Sequence, residues 1–214
     1  MKIGIIGSGG IGGTVGTLWA QAGHEVLFSS RHPDQLTDLV ERAGPHAKSA
    51  SVDEAIGFGE VLLLSIPFGA LPGFGREKRH VIGRRVLLET GNPNIRRDGA
   101  MAEEVIRSER GTGAWLRDWF PDARLVRVFN TVWQGTLASE AHRTPPRLGI
   151  PLASDDDEAS RIATGLVADA GFDPVVVGAL VAARRFDMGT PVYDTGMSGL
   201  AVRAALELGN DHTQ

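Results

Sequence analysis

The chain has 214 residues, no cysteine and a formal net charge of −4. It has no means to form a disulfide, a thiolate nucleophile or a Cys-ligated metal site, no global charge that would draw it to nucleic acid or an anionic membrane, and no apolar run near the ~20 residues of a membrane span. A hydrophobic fraction of 42% and a charged fraction of 22% suit a globular protein with a continuous core, and a cytoplasmic location is the default expectation.

Lys2 to Ile6 is short, apolar and Ile-rich and stops at Gly7, which predicts a buried strand. From Ile11 to Gln21 the pattern turns helical, with Ile11, Val15, Leu18 and Trp19 on one face and Gly23 where a C-terminal cap belongs. Glu25 to Ser29 reads as a second strand and Pro33 to Arg42 as a second helix. Ser51 to Glu54 is a capping-box signature opening a short helical turn. Val61 to Ile66 is a third strand closed by Pro67, and Val86 to Glu89 a fourth, running into Thr90-Gly91-Asn92-Pro93. Helices are expected over Ala100 to Ser108 and Thr112 to Phe120, then strands over Leu125 to Phe129 and Arg147 to Ala153.

Ser154 is the expected N-cap of a long helix whose first turn carries the acidic run Asp155 to Glu158. Acid there complements the helix dipole, so the run reads as a helix start and not as a metal site. That helix ends near Gly171, Pro174 to Val177 is the last strand, and the Ala/Leu-rich tail from Ala179 to Gly209 is expected to be helical with a break around 189–199. Strand and helix alternate up to the tail, which predicts an α/β fold with a doubly wound parallel sheet. The expected organisation is a dinucleotide-binding domain over residues 1–178 and a small helical C-terminal extension over 179–214. The segment Leu200 to Leu208 offers a surface for a homodimer or for packing on its own domain.

Gly7-Ser8-Gly9-Gly10-Ile11-Gly12 has the form G-x-G-x-x-G, placed directly after a predicted strand and opening a predicted helix. In that context it is the Rossmann dinucleotide fingerprint. Gly7 permits the tight turn, Gly9 lets the backbone approach a pyrophosphate, and Gly12 packs helix on strand, while the N–H groups at Gly10 and Ile11 face the anion at the positive helix end. At the end of the second strand, where NAD-binding proteins place an acid for the ribose hydroxyls, this chain has Ser29-Ser30-Arg31-His32. A carboxylate would repel a 2′-phosphate, whereas Ser30 and the Arg31 guanidinium can hold one by charge-assisted hydrogen bonds, which favours NADP(H).

Three later strand ends should converge on the same crevice: Ser65-Ile66-Pro67-Phe68, Gly91-Asn92-Pro93 and Asn130-Thr131-Val132-Trp133. Asn92 and Asn130 are candidates to bind the carboxamide or the acceptor, and Phe68, Val132 and Trp133 to form apolar walls. His24, His46, His80, His142 and His212 read as loop or surface residues, and the crevice is expected to offer ring-stacking surface and amides but no acid or base. No lysine follows Lys78, and the one tyrosine, Tyr193, has no lysine after it. Dehydrogenase chemistries that need a Tyr-Lys pair or a lysine beyond the nucleotide domain are therefore ranked low.

The runs IGIIGSGGIGGTVGTLWAQAGHEVLFSSRHP, VLLLSIP, GNP, VFNT and SDDDEASRIATGLVADAGFDPVVVG resemble the NADPH-dependent reductases of coenzyme F420, small Rossmann proteins that pass hydride between NADP(H) and a deazaflavin. The similarity runs through about Ala183. It implies NADP contacts at Ser8, Gly9, Gly10 and Ile11, a 2′-phosphate on Ser30 and Arg31, and a nicotinamide half lined by Ile66, Pro67, Asn92 and Gly135. Where family members can carry further basic residues after the Ser-Arg pair, this chain has His32 and Gln35. Hydride transfer between two stacked rings asks for proximity and orientation before acid or base. The expected partner is thus a small-molecule hydride acceptor: F420 first, a flavin, quinone or ferric chelate as alternatives, and a non-catalytic NADPH sensor as the reading from another class.

Overall fold

A computed structural model of the chain describes residues 1–208. His212 and the last residues of the predicted extension lie outside them. Strands β1 (Lys2–Ile6), β2 (Glu25–Ser29), β3 (Ala47–Ala50), β4 (Val61–Leu64), β5 (Val86–Glu89), β6 (Arg124–Val128), β7 (Gly149–Ser154) and β8 (Asp173–Gly178) form one sheet in the order β3-β2-β1-β4-β5-β6-β7-β8. The doubly wound α/β fold is borne out. One junction departs from the expected all-parallel sheet: β7 runs antiparallel to β6, with Val126 opposite Ser154 and Val128 opposite Leu152, and β8 then follows β7 in parallel.

The helices are α1 (Gly10–Gln21), α2 (Thr37–Ala43), α3 (Val52–Phe58), α4 (Leu71–Ile82), α5 (Ile95–Asp98), α6 (Ala100–Arg107), α7 (Gly111–Trp119), α8 (Gln134–Glu140), α9 (Asp157–Asp169) and α10 (Gly199–Ala205). Two apolar clusters cover the sheet. Ile3, Ile5, Val15, Trp19, Phe28, Phe129 and Phe172 belong to one, and Ile6, Leu62, Leu64, Phe68, Leu71 and Leu116 to the other. Burying such side chains stabilises by about 1.5–3 kcal/mol each. Trp19 is fully buried and still satisfies its indole N–H on the Leu166 carbonyl at 2.7 Å, which ties α1 to α9.

Several local expectations are corrected by particular residues. Pro33 opens a 3-10 turn over Pro33–Leu36, so the second helix begins only at Thr37. The cap of α9 is Asp156, whose carboxylate accepts from Ala159 N–H at 2.8 Å. Ser154 instead ends β7 and donates to the Leu125 carbonyl at 2.7 Å. The capping box at Ser51 and Glu54 forms as read. Strand β3 and helices α4 and α8 were not read: AKSA lacks the alternation of a half-buried strand, α4 contains two glycines and a proline, and α8 makes only two turns.

After β8 the tail forms a 3-10 segment over Leu180–Arg185 that packs on α7. It then returns to the carboxyl edge of the sheet. There Asn130 Nδ2 donates to Phe186 O at 3.3 Å, and Asp194 N–H donates to Thr131 O at 2.7 Å. Within α10 the side chains of Val202 and Leu206 (the latter just past the helix) are buried in a third small cluster with Val175 and Phe186, while Leu200 is exposed. No helix among the described residues is long and apolar enough to cross a membrane.

Candidate functional site

Strands β1 and β4 are neighbours although their connections lead to opposite sides of the sheet, so the order reverses between them. Ligands of open α/β sheets bind at such a switch point, beyond the carboxyl ends of the strands. The Gly-rich turn lies there. Gly7 has φ +93°, and a Cβ on it would stand 2.5 Å from the Ser65 carbonyl, so only glycine fits the close approach of the turn to the next strand end. A Cβ at Gly12 would meet Gly7 O at 2.1 Å. Gly9 is different, because a Cβ there would meet nothing within 4 Å. Its missing side chain opens onto the crevice, where an anion can reach the N–H groups that begin the 12-residue α1. Ser8 fastens the turn to β2, its N–H and Oγ donating to Ser29 O at 3.2 and 3.0 Å.

Two cavities meet at this turn. One, of about 450 Å³, is lined by Gly9, Gly10, Ile11, Ile66, Pro67, Gly91, Asn92, Arg97, Met188 and Tyr193. The other, of about 790 Å³, runs between α1, α2 and α8 and includes Ser8, Thr14, Gln35, Arg42 and Gly135. Both volumes fall in the usual range of ligand sites. Gly9, Gly10 and Gln134 border both. The Gln134 side chain lies over the turn, its Oε1 only 1.2 Å from where a Gly10 Cβ would be. Its position was not read because α8 was not. Ser30 and Arg31 stand at the end of β2 beside the turn, outside both cavities. Arg31 is exposed, and Ser30 Oγ accepts from the His32 N–H at 2.9 Å.

The expected apolar walls are corrected. Phe68 is fully buried beneath the crevice, edge-on to Trp119 at 5.5 Å between ring centroids, and Val132 is also core. Trp133 is 63% exposed, and its ring lies against Gly135, where a Cβ would come 2.0 Å from it. The apolar surface that does face the crevice comes from Ile66, Pro67, Pro93 and Met188. Asn130 is buried with its amide turned to Phe186, so it acts on the site through its backbone: its carbonyl accepts from Asn92 Nδ2 at 2.6 Å. Phe129, just before it, has φ +59°, a left-handed conformation unusual for an aromatic residue. Packing of its ring edge-to-face with Trp19 and Phe172 holds it there.

Beneath Gly91 and Asn92 lies a charged group that the sequence reading did not identify. Arg127 projects from β6 with no exposed surface and donates to Glu89 and to the Gly91 carbonyl, to Asn92 Oδ1 at 3.0 Å and to Asp187 at 3.2 Å. Asp187 in turn accepts from the Thr112 hydroxyl at 2.6 Å. Burial pushes the Glu89 carboxyl up and the Arg127 charge opposes it. For Arg127 burial alone would favour the neutral form, but the charges of Glu89 and Asp187 outweigh it and raise the guanidinium further. Arg127 Nε is buried without a partner, so the group rests on the contacts of its two terminal nitrogens, and removing one partner of such a buried pair strands the other.

The expectation of a crevice without an acid or base is also corrected. Tyr193 lines it, with its hydroxyl 3.3 Å from Asn92 Nδ2. Burial first, then the neighbouring Asp194 carboxylate, raise the phenol above its ordinary value, while Arg127 pulls the other way. The signal missed was topological: nothing in the sequence reading brought the tail back over the carboxyl edge.

Comparison with known proteins bears out the resemblance over the N-terminal part. The family model described as NADP oxidoreductase, coenzyme F420-dependent, matches residues 2–93, a span that contains the Gly-rich turn, the Ser30-Arg31 pair and Ile66, Pro67 and Asn92. Over that stretch the chain is similar to the NADP-dependent oxidoreductases of this family. The metalloreductase STEAP3 of Rattus norvegicus is 22% identical over 192 residues, which are 87% of this chain but 36% of that protein. The chain thus spans about a third of the length of this relative. Among solved structures, a hypothetical protein from Sinorhizobium meliloti superposes with a TM-score of 0.79 at 21% identity, covering 92% of this chain and 95% of that one. A protein described as a candidate F420-dependent NADP reductase from Arthrobacter sp. FB24 gives 0.73 at 20% identity, covering 92% and 99%. These two likenesses establish the shared fold.

Proposed function

We propose that the chain binds NADP(H) across the Gly7–Gly12 turn and transfers hydride between it and a deazaflavin of the coenzyme F420 type. The observation that carries this reading is Gly9, whose absent Cβ leaves open space over the start of α1, midway between two cavities of dinucleotide scale. Ser8, Gly9, Gly10 and Ile11 would hold the pyrophosphate. Ser30 and Arg31 would receive the 2′-phosphate, and Ile66, Pro67 and Asn92 would border the nicotinamide half, while Gly135, which the resemblance assigned to that half, lines the neighbouring cavity. The bound nicotinamide supplies the hydride. The chain contributes apolar side chains at Ile66, Pro67, Pro93 and Met188, against which two rings could be held in contact. The match of residues 2–93 to the F420-dependent NADP oxidoreductases supports the choice of acceptor, and this surface is compatible with a planar one.

Turnover against a panel tests the reading. With NADPH, purified protein is expected to bleach oxidised F420 in preference to free flavin, quinone or ferric chelate. Preference for a ferric chelate would align the chain with the metalloreductase it partly matches. NADPH binding with no acceptor reduced would make it a cofactor sensor. A homodimer through Leu200 to Leu208 and a cytoplasmic location remain proposals of the same kind. The exposed Leu200 is the residue to replace with a charge when measuring mass in solution.

A further inference from the structure

The hydrogen bonds around Tyr193 fix the direction of its proton. Asn92 Oδ1 accepts from Arg127, a side chain that can only donate, and Asn92 Nδ2 lies 2.6 Å from the carbonyl of Asn130, a group that can only accept. The amide therefore has one orientation, and it is Nδ2 that faces Tyr193 Oη at 3.3 Å. The phenol oxygen accepts there. Its own single proton is left for a partner, and no protein acceptor takes it among the described residues. Tyr193 lines the cavity that Gly9, Ile66, Pro67 and Met188 also line, and its hydroxyl reaches Asn92 of the same lining.

We propose that Tyr193 is the proton donor of the reaction, with Asn92 and Arg127 as the residues that position it. The proposal rests on the hydride-transfer reading above and narrows the acceptor. Hydride from NADPH adds to an electrophilic carbon, and the electron pair displaced from that carbon moves to a conjugated nitrogen or oxygen. Tyr193 gives its proton to that atom, its O–H bond breaking as the new bond forms. NADPH is oxidised to NADP⁺, the acceptor gains two electrons with one hydride and one proton, and the phenolate recovers its proton from water. The acceptor class is therefore a conjugated carbon–nitrogen or carbon–oxygen system, which includes a deazaflavin and leaves out a bare metal chelate. At neutral pH the phenol is in its donor form, because burial and Asp194 outweigh Arg127. The other charges near the site are paired, Arg97 with Asp98 and Asp187 with Arg127.

Tyr193→Phe removes one oxygen and keeps the ring. Since Tyr193 is the chain's one tyrosine, its ionisation is read directly from ultraviolet tyrosinate absorbance in the full chain, with or without turnover. The expected results are a titration midpoint in the wild type that moves when NADP⁺ is added, and a kcat lowered by about 10²–10⁴-fold in the variant at unchanged NADPH affinity. A midpoint indifferent to NADP⁺, or a variant with wild-type kcat on the acceptor the wild type reduces, overturns the proposal. A wild type that binds NADPH and reduces no acceptor overturns the functional reading and the donor role together. That failure shows in the unmutated protein and so is distinct from failure of the tyrosine alone.

Discussion

Arg127 and Asn92 are fixed to each other across two strand ends: the guanidinium donates to Asn92 Oδ1 at 3.0 Å while the Asn92 amide nitrogen donates to Asn130 O at 2.6 Å. A buried cation on β6 thereby sets the attitude of an amide on the β5 loop. Arg127→Met should destabilise the fold by about 3–5 kcal/mol, because it leaves Glu89 buried without its partner. Adding Glu89→Leu to that variant should recover much of the loss, since a matched apolar pair is often no worse than a buried ion pair. Urea unfolding of the two variants checks this, and a double variant weaker than the single would show that the pair is more than mutually compensating.

Two glycines of the turn should respond in opposite ways. Gly9→Val adds bulk to open space, so folding and thermal stability should stay near wild type while NADPH binding, followed by fluorescence titration, is lost. Gly12→Val drives a side chain into the Gly7 carbonyl, 2.1 Å from its Cβ, and should damage the fold itself. Wild-type NADPH affinity in a folded Gly9→Val protein would remove the turn from the site.

If the 2′-phosphate lies on Arg31 as proposed, cofactor choice should depend on that residue. Arg31→Ala should weaken NADPH by about 1.5–3 kcal/mol, the worth of a hydrogen bond to a charged group, or on the order of 10- to 100-fold, and leave NADH nearly unchanged. Equal losses for the two cofactors would assign Arg31 to the fold and remove the charge argument for NADP(H).

Acid stability should show the α9 cap. The Arg124 guanidinium and the Ala159 N–H hold Asp156 down at about 2, from an ordinary 3.8. A carboxylate depressed in the folded state stabilises above its unfolded value, and that contribution is lost as pH falls through the folded one. Asp156→Ala should therefore lower stability at neutral pH and flatten its decline between about pH 4 and 2. Parallel pH profiles for wild type and variant would contradict the assignment.

The parts of the fold legible in the sequence were those with a strong local cause. Ile3, Ile5 and Ile6 make a short apolar run, Ser51 and Glu54 cap each other, and the spacing of Gly7, Gly9 and Gly12 is a steric requirement visible without coordinates. What could not be read depends on distant partners. Phe68 follows a strand end and was expected to face the ligand, but Trp119 and the core beside it take up the ring. Arg127 looks like any charged residue within a strand until Glu89 is known to stand beside it. Tyr193 was discounted for want of a lysine after it, whereas its role follows from a tail that crosses back to meet Asn92.

On the proposed function, hydride passes directly from NADPH to a deazaflavin in one crevice. The decisive measurement is a single turnover of oxidised F420 with NADPH deuterated on one face of the nicotinamide and then on the other. Deuterium from one face only should be carried into the reduced deazaflavin. Reduction without label from either face, or F420 left untouched by protein that binds NADPH, would contradict it.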